Sequence, residues 1–268
     1  DRVLRQLRSD PQPATAAVGR ALSAAVAMPS AAETSWIERI EGLRAQLGGS
    51  TRRVRARRSE WTGAQDDEGR VREAPVARLA LELSKPERWG RVLLHLTREL
   101  RPTRTLELGT CIGLSTAYQA AGLELAGIPG VVVTLEADPG RVELARANLA
   151  HLGLDARVEA RVGRFEDQLD EVLDEAGGLG FAFVDGHHRL EPTLDYFERI
   201  VRRLSRPGVV LLDDIRWSEE MAEAWSRVAA DPRVALALDL HGLGLCLVAD
   251  QVGGAGDGPR TRSLLLHP

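Results

Sequence analysis

The chain has 268 residues, 44% of them hydrophobic, enough for one ordinary domain with an N-terminal segment to spare. Its net charge of -4 excludes an overall basic field, so nucleic acid or an anionic membrane would have to meet a local patch. Cys111 and Cys246 are far apart in apolar surroundings, which excludes a disulfide framework or cysteine zinc site; with no run approaching about 18 apolar residues, a cytoplasmic protein without a membrane span is expected.

In chain order, residues 1–75 read as a helical segment followed by a linker. "VLRQL", "GRALSAAVAM" and "SWIERIEGLRAQL" are helix candidates separated by Pro and Ser breaks, and the Ala-rich stretch from Ala14 to Met28 lacks the compact apolar core of a signal peptide. "GGSTRRVRARRSEWTGAQDDEG" is polar and glycine-flanked and reads as a linker or mobile loop. Lys85 is the single lysine among 35 basic residues, which reads as composition bias rather than function. The main domain spans 76–250. Trp89, Val92, Leu93, Leu96 and Leu100 give residues 87–100 a helical apolar face. Short apolar runs then alternate with amphipathic segments: "RTLELG", "VVVTLE", "ARVEARV", "GFAFVD" and "GVVLLDD" are strands, with helices near 113–125, 139–151, 166–175 and 190–204. Such alternation predicts an α/β fold with a mostly parallel sheet covered by helices on both faces. After a helix near 217–230, "RVALALDL" and "LGLCLVAD" are joined only by "HG" and form an antiparallel pair, and 251–268 reads as a loose tail.

Strand ends carry the chemistry. Glu107, Glu136, Asp185 and the pair Asp213 and Asp214 all close strands, and in an open parallel sheet the ligand crevice lies outside those carboxyl ends. One such acid is as readily a helix cap, but a cluster repels itself unless a cation or hydrogen-bond donors compensate. The turn "LELGTCIG" lacks both the phosphate-loop GKS/GKT and GxGxxG, because Thr110, Cys111 and Ile112 separate Gly109 from Gly113. Two glycines still admit a ligand close to the backbone, and Glu136 is placed to accept both hydroxyls of a ribose. His187 and His188 follow Asp185 as candidate bases or helix-capping loop residues.

These motifs resemble the class I S-adenosylmethionine-dependent methyltransferases over roughly residues 86–250, and most of all the small-molecule O-methyltransferases of the catechol and macrolide-sugar type, through "FAFVDGHHRLEPTLDYF" and "GVVLLDDIRWSEEMAEAW". The resemblance implies a Rossmann-like seven-stranded sheet with a C-terminal antiparallel hairpin. It places Glu107, Gly109, Thr110 and Gly113 against the methionine part of the donor, Glu136 on the ribose, and Gly163, Arg164 and Phe165 beside the adenine, with Asp185 also lining the site. In metal-dependent relatives the positions of Asp185, Asp213 and Asp214 bind Mg2+; the common "DGDH" reads "DGHH" here. Asp185, His187 and His188 are then the catalytic candidates.

The expected activity is methylation of a hydroxyl on a small-molecule acceptor, of the secondary-metabolite type. Methylation of RNA or protein is the alternative, resting on Arg52, Arg53, Arg55, Arg57 and Arg58. Because no aromatic residues interleave these arginines, a solvated linker is the favoured reading and nucleic acid is not an expected partner. A non-catalytic nucleoside-binding protein of the same fold is a further alternative, and the sequence leaves a homodimer open.

Overall fold

A computed structural model describes residues 2–57, 71–175, 177–249 and 260–264. Three helices lead: α1 (Arg2–Arg8), α2 (Pro13–Val26) and α3 (Ala31–Gly48). α3 begins with a capping box, in which Ser30 accepts from the Glu33 backbone N–H at 3.4 Å and the Glu33 carboxylate accepts from that of Ser30 at 2.5 Å. Strands β1 (Arg53–Arg57) and β2 (Val71–Pro75) pair antiparallel. The run read as a linker is therefore half strand: Val54 and Ala74 are buried in the core, while Arg53 and Arg55 face solvent. Arg58 lies outside the described residues.

Helix α4 (Val76–Arg78) runs into a π-helical turn, Leu79–Leu83, closed where the Ser84 N–H donates to the Leu79 carbonyl at 3.0 Å. The rest alternates as expected. Helix α5 (Glu87–Leu100) is followed by β3 (Arg104–Leu108), α6 (Leu114–Ala126), β4 (Val131–Glu136), α7 (Pro139–His151), β5 (Val158–Val162), α8 (Phe165–Glu175) and β6 (Leu179–Val184). Then come α9 (Leu190–Arg203), β7 (Gly208–Asp213), α10 (Glu219–Ala229), β8 (Val234–Asp239) and β9 (Leu243–Val248).

The strand order is β8-β9-β7-β6-β3-β4-β5, parallel from β7 to β5 and antiparallel at β9. This is the seven-stranded sheet with a reversed hairpin that the sequence predicts. An eighth strand, β10 (Arg260–Ser263), adds parallel to β8, so part of the segment read as a loose tail is ordered sheet edge.

The sheet separates two cores, because successive side chains of a strand point to opposite faces. Phe181, Phe183, Val209 and Leu211 pack with α5, α6 and the N-terminal helices; Ala182, Val184, Val210 and Leu212 pack with α8, α9 and α10. The connection order reverses at β3, which lies between β4 and β6, and that switch point opens the crevice at the strand ends.

Candidate active site

The glycine turn is built by its neighbours. Gly109 has φ +109°, and a Cβ there would stand 2.0 Å from the Asp185 carbonyl oxygen. Gly109 is thus demanded by contact with the next strand as well as by its conformation. Gly113 has φ +85° and caps α6. Thr110 is buried, its hydroxyl 2.6 Å from that of Thr134.

Glu107 and Glu136 divide sharply. Glu107 is 0% exposed, and its carboxylate accepts from Thr116, from Gln119 Nε2 at 2.7 Å and from the Thr134 hydroxyl at 2.7 Å. Burial raises its pKa, while these hydrogen bonds lower it. Its carboxylate is turned into the β3–β4–α6 junction, which makes it a strut beneath the glycine turn. Glu136 is 4% exposed and ends β4 beside the turn: its carboxylate accepts from the Cys111 N–H at 3.1 Å and the Asp138 N–H at 3.0 Å, with Arg141 Nη1 at 3.5 Å. Glu136 is thus held at the edge of the turn by two backbone N–H groups and the Arg141 guanidinium. The Gly163 N–H donates to the Glu136 carbonyl at 3.0 Å, which puts the turn after β5 at the same edge. Arg164 lies 3.6 Å from Glu166 at the surface, and the Phe165 ring is buried against His187 and Tyr196. Burial pushes the Cys111 thiol up to about 12, removing it as a nucleophile.

At the ends of β6 and β7 the acids do converge. Asp214 has φ +51°, and the Trp217 N–H donates to its carbonyl at 2.9 Å; this turn brings two adjacent aspartates, which an extended strand would point apart, to one place. Lys85 Nζ donates to the Asp213 carboxylate and lies 3.8 Å from Asp185 Oδ1 and 3.9 Å from Asp214 Oδ1. Burial opposes its charge, but the three carboxylates outweigh burial and raise its pKa. Burial and the Asp185 charge push Asp213 up to about 7. Lys85 is thus a site residue that sequence reading missed; the available signal was its being the only lysine, set directly before a helix.

The histidines separate. His188 Nε2 lies 3.7 Å from Asp185 Oδ1 and 3.9 Å from Asp214 Oδ2, at the crevice. His187 turns away: its Nδ1 is 2.5 Å from the Tyr196 hydroxyl and 3.4 Å from Glu166, and burial lowers its pKa. The ring of His187 thus lies between α8 and α9, whereas that of His188 faces the acids. Trp225 is buried in the second core, whereas Trp217 is 72% exposed just beyond the acids.

The acid cluster offers ligand atoms from Asp185, His188 and Asp213 within 4.8 Å of one another. It does not fit a magnesium ion as built: an ammonium already stands among the carboxylates, and the ion's near-ideal octahedron of hard oxygens would have to displace it.

The seven-stranded sheet with its reversed hairpin is a fold shared with solved methyltransferases. Residues 106–215 match the family model described as "Methyltransferase domain". The chain is 36% identical over 127 residues to a catechol O-methyltransferase of Mycobacterium tuberculosis, covering 47% of this chain and 54% of the relative. It is 34% identical over 126 residues to a catechol O-methyltransferase of Niastella koreensis, with the same 47% and 54% coverage. The chain thus spans about half the length of the curated relatives it matches. Among solved structures, the O-methyltransferase TomG of Streptomyces achromogenes, involved in tomaymycin synthesis and in complex with S-adenosylmethionine, is 25% identical with a TM-score of 0.55, covering 63% of this chain and 83% of that one. An O-methyltransferase from Bacillus cereus, at 24% identity and TM-score 0.57 over 83% and 93% of the chains, shares the fold. Among the described residues no helix is long and apolar enough to cross a membrane.

Proposed function

We propose that the protein is an S-adenosylmethionine-dependent O-methyltransferase acting on a hydroxyl of a small molecule. The observation that carries this reading is the Glu136 carboxylate at the end of β4, held against the glycine turn by the Cys111 N–H, at the strand edge where the hydroxyls of a ribose would meet it. The catechol O-methyltransferases and the S-adenosylmethionine-bound TomG support it. The bound donor supplies a methyl group already activated as a sulfonium, so the protein has to align donor and acceptor and remove one proton.

In this account Glu136 accepts the ribose hydroxyls, and the backbone from Gly163 to Phe165 borders the adenine. Gly109, Thr110 and Gly113 shape the wall on the methionine side, with Glu107 bracing them from behind. His188 takes the acceptor's proton at Nε2, and the Asp185 and Asp214 carboxylates, 3.7 and 3.9 Å from that nitrogen, stabilise the imidazolium that forms. Trp217, exposed at the rim, offers an apolar face to the acceptor. Cytoplasmic location and a possible homodimer remain part of the reading.

Calorimetry with S-adenosylhomocysteine tests it. Wild type should bind, and Glu136→Ala should lose about 2 kcal/mol, roughly thirtyfold in affinity, because buried ligand hydroxyls go unpaired. Equal affinity in the two proteins rejects the ribose assignment; no binding by wild type rejects the function.

A further inference from the structure

Lys85 occupies the place in the crevice where a cation belongs. It sits in the connection Ser84, Lys85 and Pro86 between the π-helical turn and α5, and this connection is fixed at several points. Arg44 of α3 donates through Nη1 to the Ala80 carbonyl at 2.8 Å and through Nη2 to the carbonyl of Lys85 itself at 2.7 Å. The Ser84 hydroxyl donates to the Leu79 carbonyl at 2.8 Å, and Pro86 is the residue that caps α5. The backbone that carries the ammonium is therefore held by the N-terminal helical segment, and the side chain, 14% exposed, enters the acid cluster from outside the parallel strands.

We propose that Lys85 is the built-in cation of this active site, taking the position that a divalent metal would occupy between Asp185, Asp213 and Asp214, so that the protein performs its chemistry without a metal ion. The ammonium carries three donors. One is spent on Asp213, whose carboxylate is 2% exposed and would be an uncompensated buried charge without it. Asp185 Oδ1 and Asp214 Oδ1 stand 3.8 and 3.9 Å from the nitrogen, beyond direct hydrogen-bond distance, so in this proposal one of the two remaining donors serves the acceptor oxygen. A lysine held this way does two things that a metal would do. It prevents three converging carboxylates from repelling one another, and it presents positive charge to an oxygen that is losing its proton. His188 complements it: the base stands on the same aspartates, so acidification by a metal is not required. A magnesium ion demands oxygen ligands at about 2.0–2.1 Å, which leaves no room for an ammonium hydrogen-bonded within the same set.

The inference rests on the methyl-transfer reading only for its consequence in turnover; the cation position is tested separately with manganese, a paramagnetic divalent probe. Electron paramagnetic resonance of free Mn2+ titrated with the full chain should show no site in wild type at millimolar metal. Lys85→Met, which keeps length and removes charge, should acquire a site at least about tenfold tighter, because the carboxylates then lack a counter-charge. That site should disappear in the double variant carrying Asp213→Asn, and Lys85→Arg should remain without it. If Lys85→Met folds only when divalent metal is added, as read by circular dichroism, the same conclusion follows. Wild-type binding of Mn2+ that Asp213→Asn abolishes overturns the proposal, as does a folded Lys85→Met variant with no gain in metal affinity. Wild-type turnover, where an acceptor is in hand, should be unchanged after exhaustive chelation; turnover lost to chelation and restored by Mg2+ overturns the proposal. Binding of S-adenosylhomocysteine by the wild-type protein reports separately on the methyltransferase reading.

Discussion

Glu107 and Glu136 end neighbouring strands in sequence motifs that look alike, yet one is a strut and the other a candidate ligand group. The sequence makes both acids legible as strand termini. It does not reveal which way each carboxylate points, because that depends on Thr116 and Gln119 arriving from α6 and Thr134 from β4. Gly109 is similar: the sequence reads it as clearance for a ligand, and the structure adds the Asp185 carbonyl that a side chain would strike. The strut role predicts that Glu107→Gln costs about 1–3 kcal/mol of folding stability, since an amide cannot accept from every donor that now converges there. Chemical denaturation checks it. A Glu107→Gln protein of wild-type stability with abolished donor binding would return Glu107 to direct ligand contact. Lys85 marks the limit at this scale: a lone lysine carries no periodicity or motif, and its partners lie 100 residues or more away in sequence, at Asp185 and Asp213.

Elements follow the sequence where burial is two-sided. The runs ending at Glu107, Glu136, Asp185 and Asp213 are continuous and apolar because helices cover both faces, so the chain announces them. Edge elements do not announce themselves. In "RVRAR" the alternation that places Val54 inward is present, but a basic composition reads first as a solvated run. Strand β10, "RTRS", has no apolar residue of its own; its anchor is Leu264 just beyond, 2% exposed, whose N–H donates to the Asp239 carbonyl at 2.8 Å. Arg262 also reaches Gln6 of α1 at 3.1 Å, tying the chain's two ends together. Leu264→Ala should therefore cost about 2–3 kcal/mol. Amide exchange along β8 should speed up selectively, because β10 would no longer cover its edge. Unchanged melting and exchange would show that β10 contributes nothing to the sheet.

Across the whole molecule, the N-terminal helices are not an appendage hung on a finished domain. Tyr118 of α6 donates to Glu41 of α3 at 2.8 Å, Arg44 of α3 holds the Lys85 connection, and α2 and α3 supply Leu22, Ile40 and Leu43 to the first core. Their poor amphipathic patterning hides this in the sequence: α2 buries mostly alanines, and α3 buries Ile37, Ile40 and Leu43 among charged residues. The junction also contains a buried ionisable cluster with a measurable signature. His95 of α5 is 1% exposed; its Nδ1 lies 3.6 Å from Glu33 of α3, which is itself paired with Arg98. Burial, assisted by Arg98 and Arg91 and opposed by Glu33 and Glu99, lowers the His95 pKa to about 4. Neutral in the fold but titrating near 6.5 when unfolded, His95 lets the unfolded chain bind the extra proton between those values. Stability should thus be full above about pH 6.5 and fall as the pH drops towards 4, by at most about 3 kcal/mol from this group. Glu33, whose pKa is lowered by Ser30, His95 and Arg98 against the cost of burial, works in the same direction at lower pH, losing its contribution as it becomes protonated. His95→Leu removes the first effect and keeps the second. Denaturant titrations of the variant should fall less steeply with decreasing pH between about 6.5 and 5 than those of wild type, with His187 and Asp213 contributing equally to both. If the two proteins lose stability in parallel over that interval, His95 is not the group that senses it, and the coupling between the N-terminal helices and α5 is carried by packing alone.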